Sequence, residues 1–524
     1  MSRGLVLRRQ AATGLPESPA FADGSRRLSR NVRWSYVAWS ASAFAPVVTV
    51  PFCVRYLGAR LYGEWLMILS LTAYLGLANL GIAQTVGNRI AEATAFNRRG
   101  EIRTLVATGF WTYALLAIGL IAALVTVIPV IADHWLRSAG ASAALIIYIV
   151  LICLAMPARI YQAALRGFER VDCEQALDAL STLARTALAV IALAAGGKLI
   201  AIAMVNGCSA LLAAALAYPL ARRIGGAIQP LPERFQWHCL RSLIRPSAAF
   251  LALQAGTTLT LGIDNLVIGA VLGAAAVTRY AVPFRLIWMA ALVFTVAVNA
   301  AMPTITGHYA LAQQRVLVRH YLIALRLALL FATCGAMLLW TAGPSLIGWW
   351  AGPEVFPGRA VFAMQIALFA ILAVTAPSTA ILAATTRHYR YAASTIVEGL
   401  LNLALSLLWV RRYGLAGVIG ATIAASLLTT SWYVSAAAPA VIGLGWRPML
   451  HRLALPITIS TGALAVTVIA GRFAAPFACF MFACTTATIV LTAYLALVFD
   501  TSERQSIIRY LSGSLAAGSA AVRA

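Results

Sequence analysis

The chain has 524 residues, 61% of them hydrophobic and 11% charged, with a formal net charge of +24 and a mean hydropathy of +0.85. Soluble globular proteins are about 45–50% apolar and about 25% charged, so an aqueous fold is excluded. A transmembrane β-barrel is excluded as well, because its strands alternate in runs of about 10 residues, whereas Phe110 to Ile131 and Ile366 to Ala384 are apolar on every face.

The first 33 residues are Arg-rich, contain Pro16 and Pro19 and lack the apolar stretch of a cleavable secretory signal. They read as a flexible cytoplasmic tail, with the first span acting as the uncleaved insertion signal. Apolar runs between charged or Gly/Pro breaks then place spans near 34–54, 65–86, 105–131, 143–165, 175–195, 199–221, 246–272, 282–303, 321–343, 361–384, 392–410, 415–437, 453–471 and 476–499. Each is long enough for a crossing of about 20 residues. The expectation is an all-α polytopic membrane protein of about 14 transmembrane helices. It divides into an N-terminal six-helix bundle (34–221), a basic cytoplasmic linker (222–245), a C-terminal six-helix bundle (246–437), and two extra helices with a cytoplasmic tail (438–524). The linker carries Pro230, Pro232 and five arginines. An even span count puts both termini in the cytoplasm.

A charge of +24 raises nucleic-acid binding as a possibility, and the placement of the charges argues against it. With the first crossing leaving the cytoplasm, 28 of the 40 Lys+Arg fall in inner segments and nine in outer loops. That is the positive-inside bias of a membrane protein, so no nucleic-acid partner is expected. The eight cysteines show no C-x-x-C spacing and read as small buried hydrophobes.

Charged groups at span centres cost about 2.5–3.5 kcal/mol on insertion scales and usually face a bundle interior or a wet cavity. Asp264 lies near the middle of span seven with Asn265 beside it, Arg285 near the start of span eight, Arg185 midway along span five, Arg326 about one turn into span nine, and Glu398 in span eleven. Asn79, Asn206, Asn299 and Asn402 add uncharged donors and acceptors. Arg326 and Arg285 stand close enough to helix ends to snorkel to the interface. Asp264 either pairs with a buried arginine or binds and releases a proton or cation. Glu398 and Asn402 share a helix face, which interhelical hydrogen bonding and function explain equally. Prolines within or at the ends of spans, such as Pro51, Pro157, Pro283 and Pro377, allow bending but are common in membrane helices anyway. The six histidines form no H-E-x-x-H pattern, and neither a Walker loop nor a Gly-rich dinucleotide fingerprint is present, so no catalytic residue, metal or cofactor is expected.

The segment VRYLGARLYGEWLMILSLTAYLGLANLGIAQTVGNRIAE, Val54 to Glu92, carries Leu57-Gly58, Tyr62-Gly63, Leu80-Gly81 and Asn88, preceded by Asn31, Trp34 and Pro51. A second patch, GIDNLVIGAVLGAAAVTRYAVPFRL, Gly262 to Leu286, carries Asp264, Ile268-Gly269, Leu272-Gly273, Tyr280 and Arg285. Together they resemble the polysaccharide transporter (O-antigen-type lipid-linked oligosaccharide flippase) family of the multidrug/oligosaccharidyl-lipid/polysaccharide exporter superfamily. The resemblance implies a flippase that carries undecaprenyl-diphosphate-linked oligosaccharide across the bacterial inner membrane by alternating access, coupled to a proton, a monovalent cation or the membrane potential. It implies a cavity walled mainly by spans one, two, seven and eight. Arg285 would contact the diphosphate, Asn79 and Asn265 the sugars, and Asp264 the coupling ion. Arg185 and Arg326 are further substrate-binding candidates and Glu398 a second ion-coupling candidate, without a matching motif. A polymerase and glycosyltransferases of the same pathway are the implied partners. Span one has no arginine in its apolar middle, only Arg55 at its end, which favours an O-antigen, capsule or exopolysaccharide repeat unit over a peptidoglycan precursor. A multidrug or organic-cation antiporter of the same superfamily, a membrane-embedded glycan polymerase or ligase, and a passive scaffold or channel are the alternatives.

Overall fold

The computed structural model describes residues 19–504 apart from 137, 139, 227, 301, 385–387, 471–475 and 502. The tails 1–18 and 505–524, and the side chain of Asn299, lie outside the described residues. All regular elements described are helical. In chain order they are α1 (Pro19–Leu75), α2 (Ile82–Ala95), α3 (Arg99–Trp135), α4 (Ala141–Ala155), α5 (Arg159–Gly167), α6 (Val171–Ala194), α7 (Leu199–Gly225), α8 (Trp237–Leu272) and α9 (Ala274–Ala300). They continue with α10 (Met302–Ala310), α11 (Gln314–Ala351), α12 (Arg359–Ala384), α13 (His388–Leu428), α14 (Thr430–Val441), α15 (Trp446–Ala470) and α16 (Pro476–Ala493).

Among the described residues nine helices are long and apolar enough to cross a membrane, ten if the bent pair α4–α5 is one span. Some of these are longer than one crossing. Arg33–Leu75 has 43 residues, roughly 65 Å at 1.5 Å per residue, against a hydrocarbon core of about 30 Å. It turns back at Gly58, whose φ of 75° and ψ of 167° suit a residue without Cβ. Gly414 (φ 58°, ψ −136°) breaks α13 in the same manner. Gly273, φ 87°, joins α8 to α9, so the Leu-Gly pair at 57–58 recurs at 272–273 as the corresponding turn of the second bundle. Helix α1 starts at Pro19, inside the stretch read as a tail. Asn31 and Arg30 tie it down: Asn31 donates to the Glu169 carbonyl (3.1 Å) and accepts from the Asp172 amide (2.9 Å), and Arg30 meets Asp172 at 2.7 Å.

Large apolar side chains face outward along the helices, Leu115, Ile118, Leu408 and Leu428 among them. In water this would be a liability; in a bilayer it is the solvent-facing surface. With no hydrophobic drive between helices in lipid, close packing and interhelical hydrogen bonds hold the bundles. The two bundles meet along a seam between the second half of α1 with α2 and helices α8 and α9. At one end Gly63 lies against the Ala274 carbonyl so closely that a Cβ would overlap it, and the Thr278 hydroxyl donates to the Ala59 carbonyl at 2.6 Å. Further along, Asn265 Nδ2 donates to Ser70 Oγ (3.0 Å) and Gln254 Nε2 to the Gly76 carbonyl (3.3 Å). At the other end Ser247 Oγ donates to Thr85 Oγ1 (2.9 Å). Helices α15 and α16 pack on α11, where Arg326 pairs with Glu503 at 3.0 Å.

Candidate functional sites

The N-terminal bundle holds a polar cavity of about 700 Å³, within the range of about 300–1,000 Å³ typical of ligand sites. The first part of α1 supplies Ser35, Trp39 and Ser42, α5 supplies Arg159 and Gln162, and α6 supplies Gln175, Asp178, Thr182 and Arg185. The α6 residues fall three or four apart, so they form one stripe on that helix. Arg159 arrives there because the span drawn as 143–165 is broken: α4 ends at Ala155, Pro157 follows, and α5 starts at a 40° bend. A smaller, mainly apolar cavity of about 260 Å³ adjoins it, sharing Arg159 and lined also by Thr72, Asn79 and Tyr148. Asn79 Nδ2 is spent on the Gly76 carbonyl at 2.8 Å, while its Oδ1 is buried without a partner.

The electrostatics of the larger cavity are cationic. Among the described residues, Arg159 and Arg185 form no hydrogen bond or ion pair, and Asp178 at the rim feels both charges without a contact inside 4 Å. Other arginines are neutralised. Arg166 pairs with Glu174 (3.0 Å), Arg170 with Asp172 (3.0 Å) and Arg326 with Glu503. Two half-buried guanidiniums without a direct partner, with Asp178 as the one carboxylate among the described residues lining the same cavity, offer planar, fork-shaped donors of the kind that diphosphates accept.

The C-terminal bundle holds the complementary arrangement. Asp264 of α8 is 7% exposed, and no arginine pairs with it among the described residues. Tyr280 of α9 donates to its Oδ2 at 2.7 Å and Asn402 of α13 to its Oδ1 at 3.0 Å. The Thr422 hydroxyl, from the far side of the Gly414 bend, lies 3.0 Å from Asp264 Oδ2, 3.2 Å from Asn402 Oδ1 and 3.1 Å from the Val418 carbonyl. Ser406 Oγ is 3.2 Å from the same Asn402 oxygen. One hydroxyl proton at Thr422 therefore faces three acceptors, leaving oxygen lone pairs in surplus. Such a cluster of oxygens around one carboxylate suits a proton or a small hard cation. No group of three or more His, Cys, Asp and Glu gathers among the described residues. Gln365 Nε2 donates to the Tyr280 carbonyl at 2.9 Å and ties α12 to this site.

The other sequence candidates fall elsewhere. Arg285 is half-buried, unpaired among the described residues, and close enough to Tyr62 to act on it electrostatically. It does not meet Asp264. Asn265 faces the opposite bundle through Ser70, and Arg326 is taken by Glu503. Glu398, one turn before Asn402, is buried close to the hydroxyls of Ser426 and Thr430. Of the four spans expected to wall the cavity, one and two contribute to these two adjoining cavities, joined by spans four to six; among the described residues seven and eight line neither. Sequence reading missed Arg159, Gln162, Gln175 and Asp178, and the hydroxyls of Tyr280, Ser406 and Thr422. The stripe Gln175, Asp178, Thr182, Arg185 was a usable signal; Arg159 was hidden by its apparent position at a span end.

The family described as polysaccharide biosynthesis protein matches residues 28–307. The chain belongs to that family. Among solved structures, the lipid II flippase MurJ in an inward closed conformation is similar with a TM-score of 0.69 at 12% identity, covering 89% of this chain and 100% of that one. An inward-facing multidrug resistance MATE family transporter of the MOP superfamily gives 0.58 at 14% identity, covering 78% and 95%. A MOP superfamily transporter from Pyrococcus furiosus, whose structure is described as having a binding pocket of reverse polarity, gives 0.51 at 13%, covering 80% and 95%. No curated protein sequence matches the chain. At these identities the shared property is the fold, and it is one seen in flippases and transporters. This family member is a multi-pass helical membrane protein of that architecture.

Proposed function

We propose that the chain is a flippase for an undecaprenyl-diphosphate-linked oligosaccharide of the O-antigen, capsule or exopolysaccharide class, in the bacterial inner membrane with both termini cytoplasmic. The observation that carries this reading is the pair of unpaired guanidiniums, Arg159 and Arg185, in a polar cavity of ligand size. A diphosphate headgroup entering a low-dielectric slab needs its charge offset at close range, and these two side chains lie where that is possible. Gln162, Gln175 and the unpartnered Asn79 oxygen supply hydrogen bonds of the kind sugar hydroxyls use. Arg285 is a third cation outside the cavity, suited to receive the headgroup as the bundles rearrange. The cationic lining favours an anion over the organic cation of a multidrug antiporter.

Coupling would run through Asp264. Asp264 and Asn265 are consecutive, so they point about 100° apart on α8: the first into the oxygen cluster of its own bundle, the second across the seam to Ser70. A proton or cation at Asp264 would compete with the hydroxyls of Tyr280 and Thr422 for the carboxylate oxygens and repack α8 against α9 and α13, the same α8 and α9 that form the seam. The four side-chain hydrogen bonds described at the seam (Thr278, Asn265, Gln254, Ser247) are each worth about 0.5–1.5 kcal/mol net. Opening it thus costs a few kcal/mol, within reach of differential ligand binding.

The test is transport of a fluorescent undecaprenyl-diphosphate-linked oligosaccharide in proteoliposomes, read by quenching of the outer leaflet. The reading expects protein-dependent flipping that is lost in the R159A/R185A variant. Flipping by that variant at the wild-type rate, or none by the wild type under any ion gradient, would contradict it.

A further inference from the structure

A flippase reading leaves open where the lipid chain of the substrate sits while its headgroup is in the cavity. A second cavity, apolar and about 300 Å³, runs between α6 and α7 on the surface that faces lipid. Leu177, Leu180, Leu188, Met204, Leu212 and Leu216 line it, with Leu180 61% and Leu212 59% exposed. Ser181, Ser209 and Ala213 line both this groove and the cationic cavity behind it. Three small side chains are thus common to a membrane-facing apolar groove and a polar chamber holding Arg185, which lies one turn along α6 from Ser181.

The hydroxyls at this partition do not latch it. Ser181 Oγ donates to the Asp178 carbonyl of its own helix at 3.0 Å, and Ser209 Oγ to the Val205 carbonyl of its own at 2.6 Å. Among the described residues no side-chain hydrogen bond joins α6 to α7, so parting them sacrifices packing alone. The packing there is that of small residues, with correspondingly little dispersion energy per residue.

We propose that the α6–α7 groove holds the isoprenoid chain of the lipid-linked substrate, and that the Ser181–Ser209–Ala213 partition is the lateral portal through which the diphosphate reaches Arg185 and Arg159. This rests on the flippase reading and adds the path to it. The two surfaces match the two chemistries of one molecule: an apolar trough open to the acyl chains and a cationic chamber directly behind it. An amphiphile bridging them keeps its hydrocarbon in lipid and its anion on guanidiniums, so neither part crosses an unfavourable medium.

The experiment uses the full chain in nanodiscs and a polyisoprenyl diphosphate carrying a diazirine on its isoprenoid chain, with labelled peptides mapped after irradiation. The expected result is labelling concentrated in 177–188 and 204–216, competed by unlabelled polyisoprenyl diphosphate and not by bulk phospholipid. Even labelling of the lipid-facing surface, or competition by any phospholipid, overturns the proposal. The S209W variant, which fills the partition, should lose at least tenfold of that labelling. A tail-less glycosyl diphosphate should still bind the M204W variant, altered in the groove and not in the cationic cavity, with an affinity within about threefold of wild type. Undiminished groove labelling and transport in S209W would exclude the portal. Failure of the tail-less compound to bind the wild type would instead contradict the cavity assignment itself.

Discussion

The two bundles handle buried charge in opposite ways. In the N-terminal bundle, Arg159 and Arg185 stand unpaired beside a cavity of about 700 Å³. In the C-terminal bundle, Asp264 is enclosed by Tyr280, Asn402 and Thr422 with contacts of 2.7–3.0 Å. A large cavity with unspent positive charge suits a bulky anion; a tight oxygen cluster with one negative charge suits a proton or a small cation. The contrast teaches that two halves marked by the same Leu-Gly turn, at 57–58 and 272–273, hold buried polar groups of opposite charge, and on the proposed reading these serve cargo in one half and coupling in the other.

The sharpest way to break this contrast is to discharge the cargo side. A hydrogen bond to a charged group contributes about 1.5–3 kcal/mol, and 1.4 kcal/mol is tenfold, so R159A/R185A should lower flipping about a hundredfold or more with the protein's abundance unchanged. Retention of a tenth of the wild-type rate would dissolve the distinction. On the driving side, D264N preserves shape and should abolish the dependence of flipping on a proton or cation gradient, slowing transport about tenfold while leaving glycosyl diphosphate binding within about twofold. Persisting gradient dependence would transfer the coupling role to Glu398, which is read by the same assay in E398Q. Arg285, outside the cavity, sharpens the boundary of the cargo site. R285A should cut flipping by about tenfold or less, and a larger loss than in R159A/R185A would move the headgroup to the seam. The smallest effect on transport is expected from R326A, because Arg326 is paired with Glu503. It should flip within about twofold of wild type yet lose about 1–3 kcal/mol of stability from the carboxylate left behind, seen as a melting temperature lower by a few degrees.

The fold class was legible because apolar runs and the 28-to-9 charge asymmetry are set by the bilayer itself. Asp264 was legible for the same reason: a carboxylate in mid-span announces a packed or wet environment whatever surrounds it. Its partners were not, since Tyr280, Asn402 and Thr422 come from α9 and both limbs of α13, and nothing in a single sequence brings residues 264, 280, 402 and 422 together. Arg185 stood out by its place midway along a span, whereas Arg159 stands near the end of the span drawn as 143–165, because the bend after Pro157 is invisible to a hydropathy reading. Arg326 and Asn265 show the reverse limitation. Each stands inside a span of the sequence reading, but Arg326 is paired with Glu503, more than 170 residues away in sequence, and Asn265 with Ser70 across the seam.

The central claim is that the diphosphate rests on Arg159 and Arg185. Its most direct test is a cryo-electron microscopy map of the protein in nanodiscs with bound undecaprenyl-diphosphate-linked oligosaccharide. The account predicts phosphate density within hydrogen-bonding reach of both guanidiniums, inside the N-terminal bundle. Density for the diphosphate elsewhere, with the side chains of Arg159 and Arg185 facing an unliganded cavity, would contradict it.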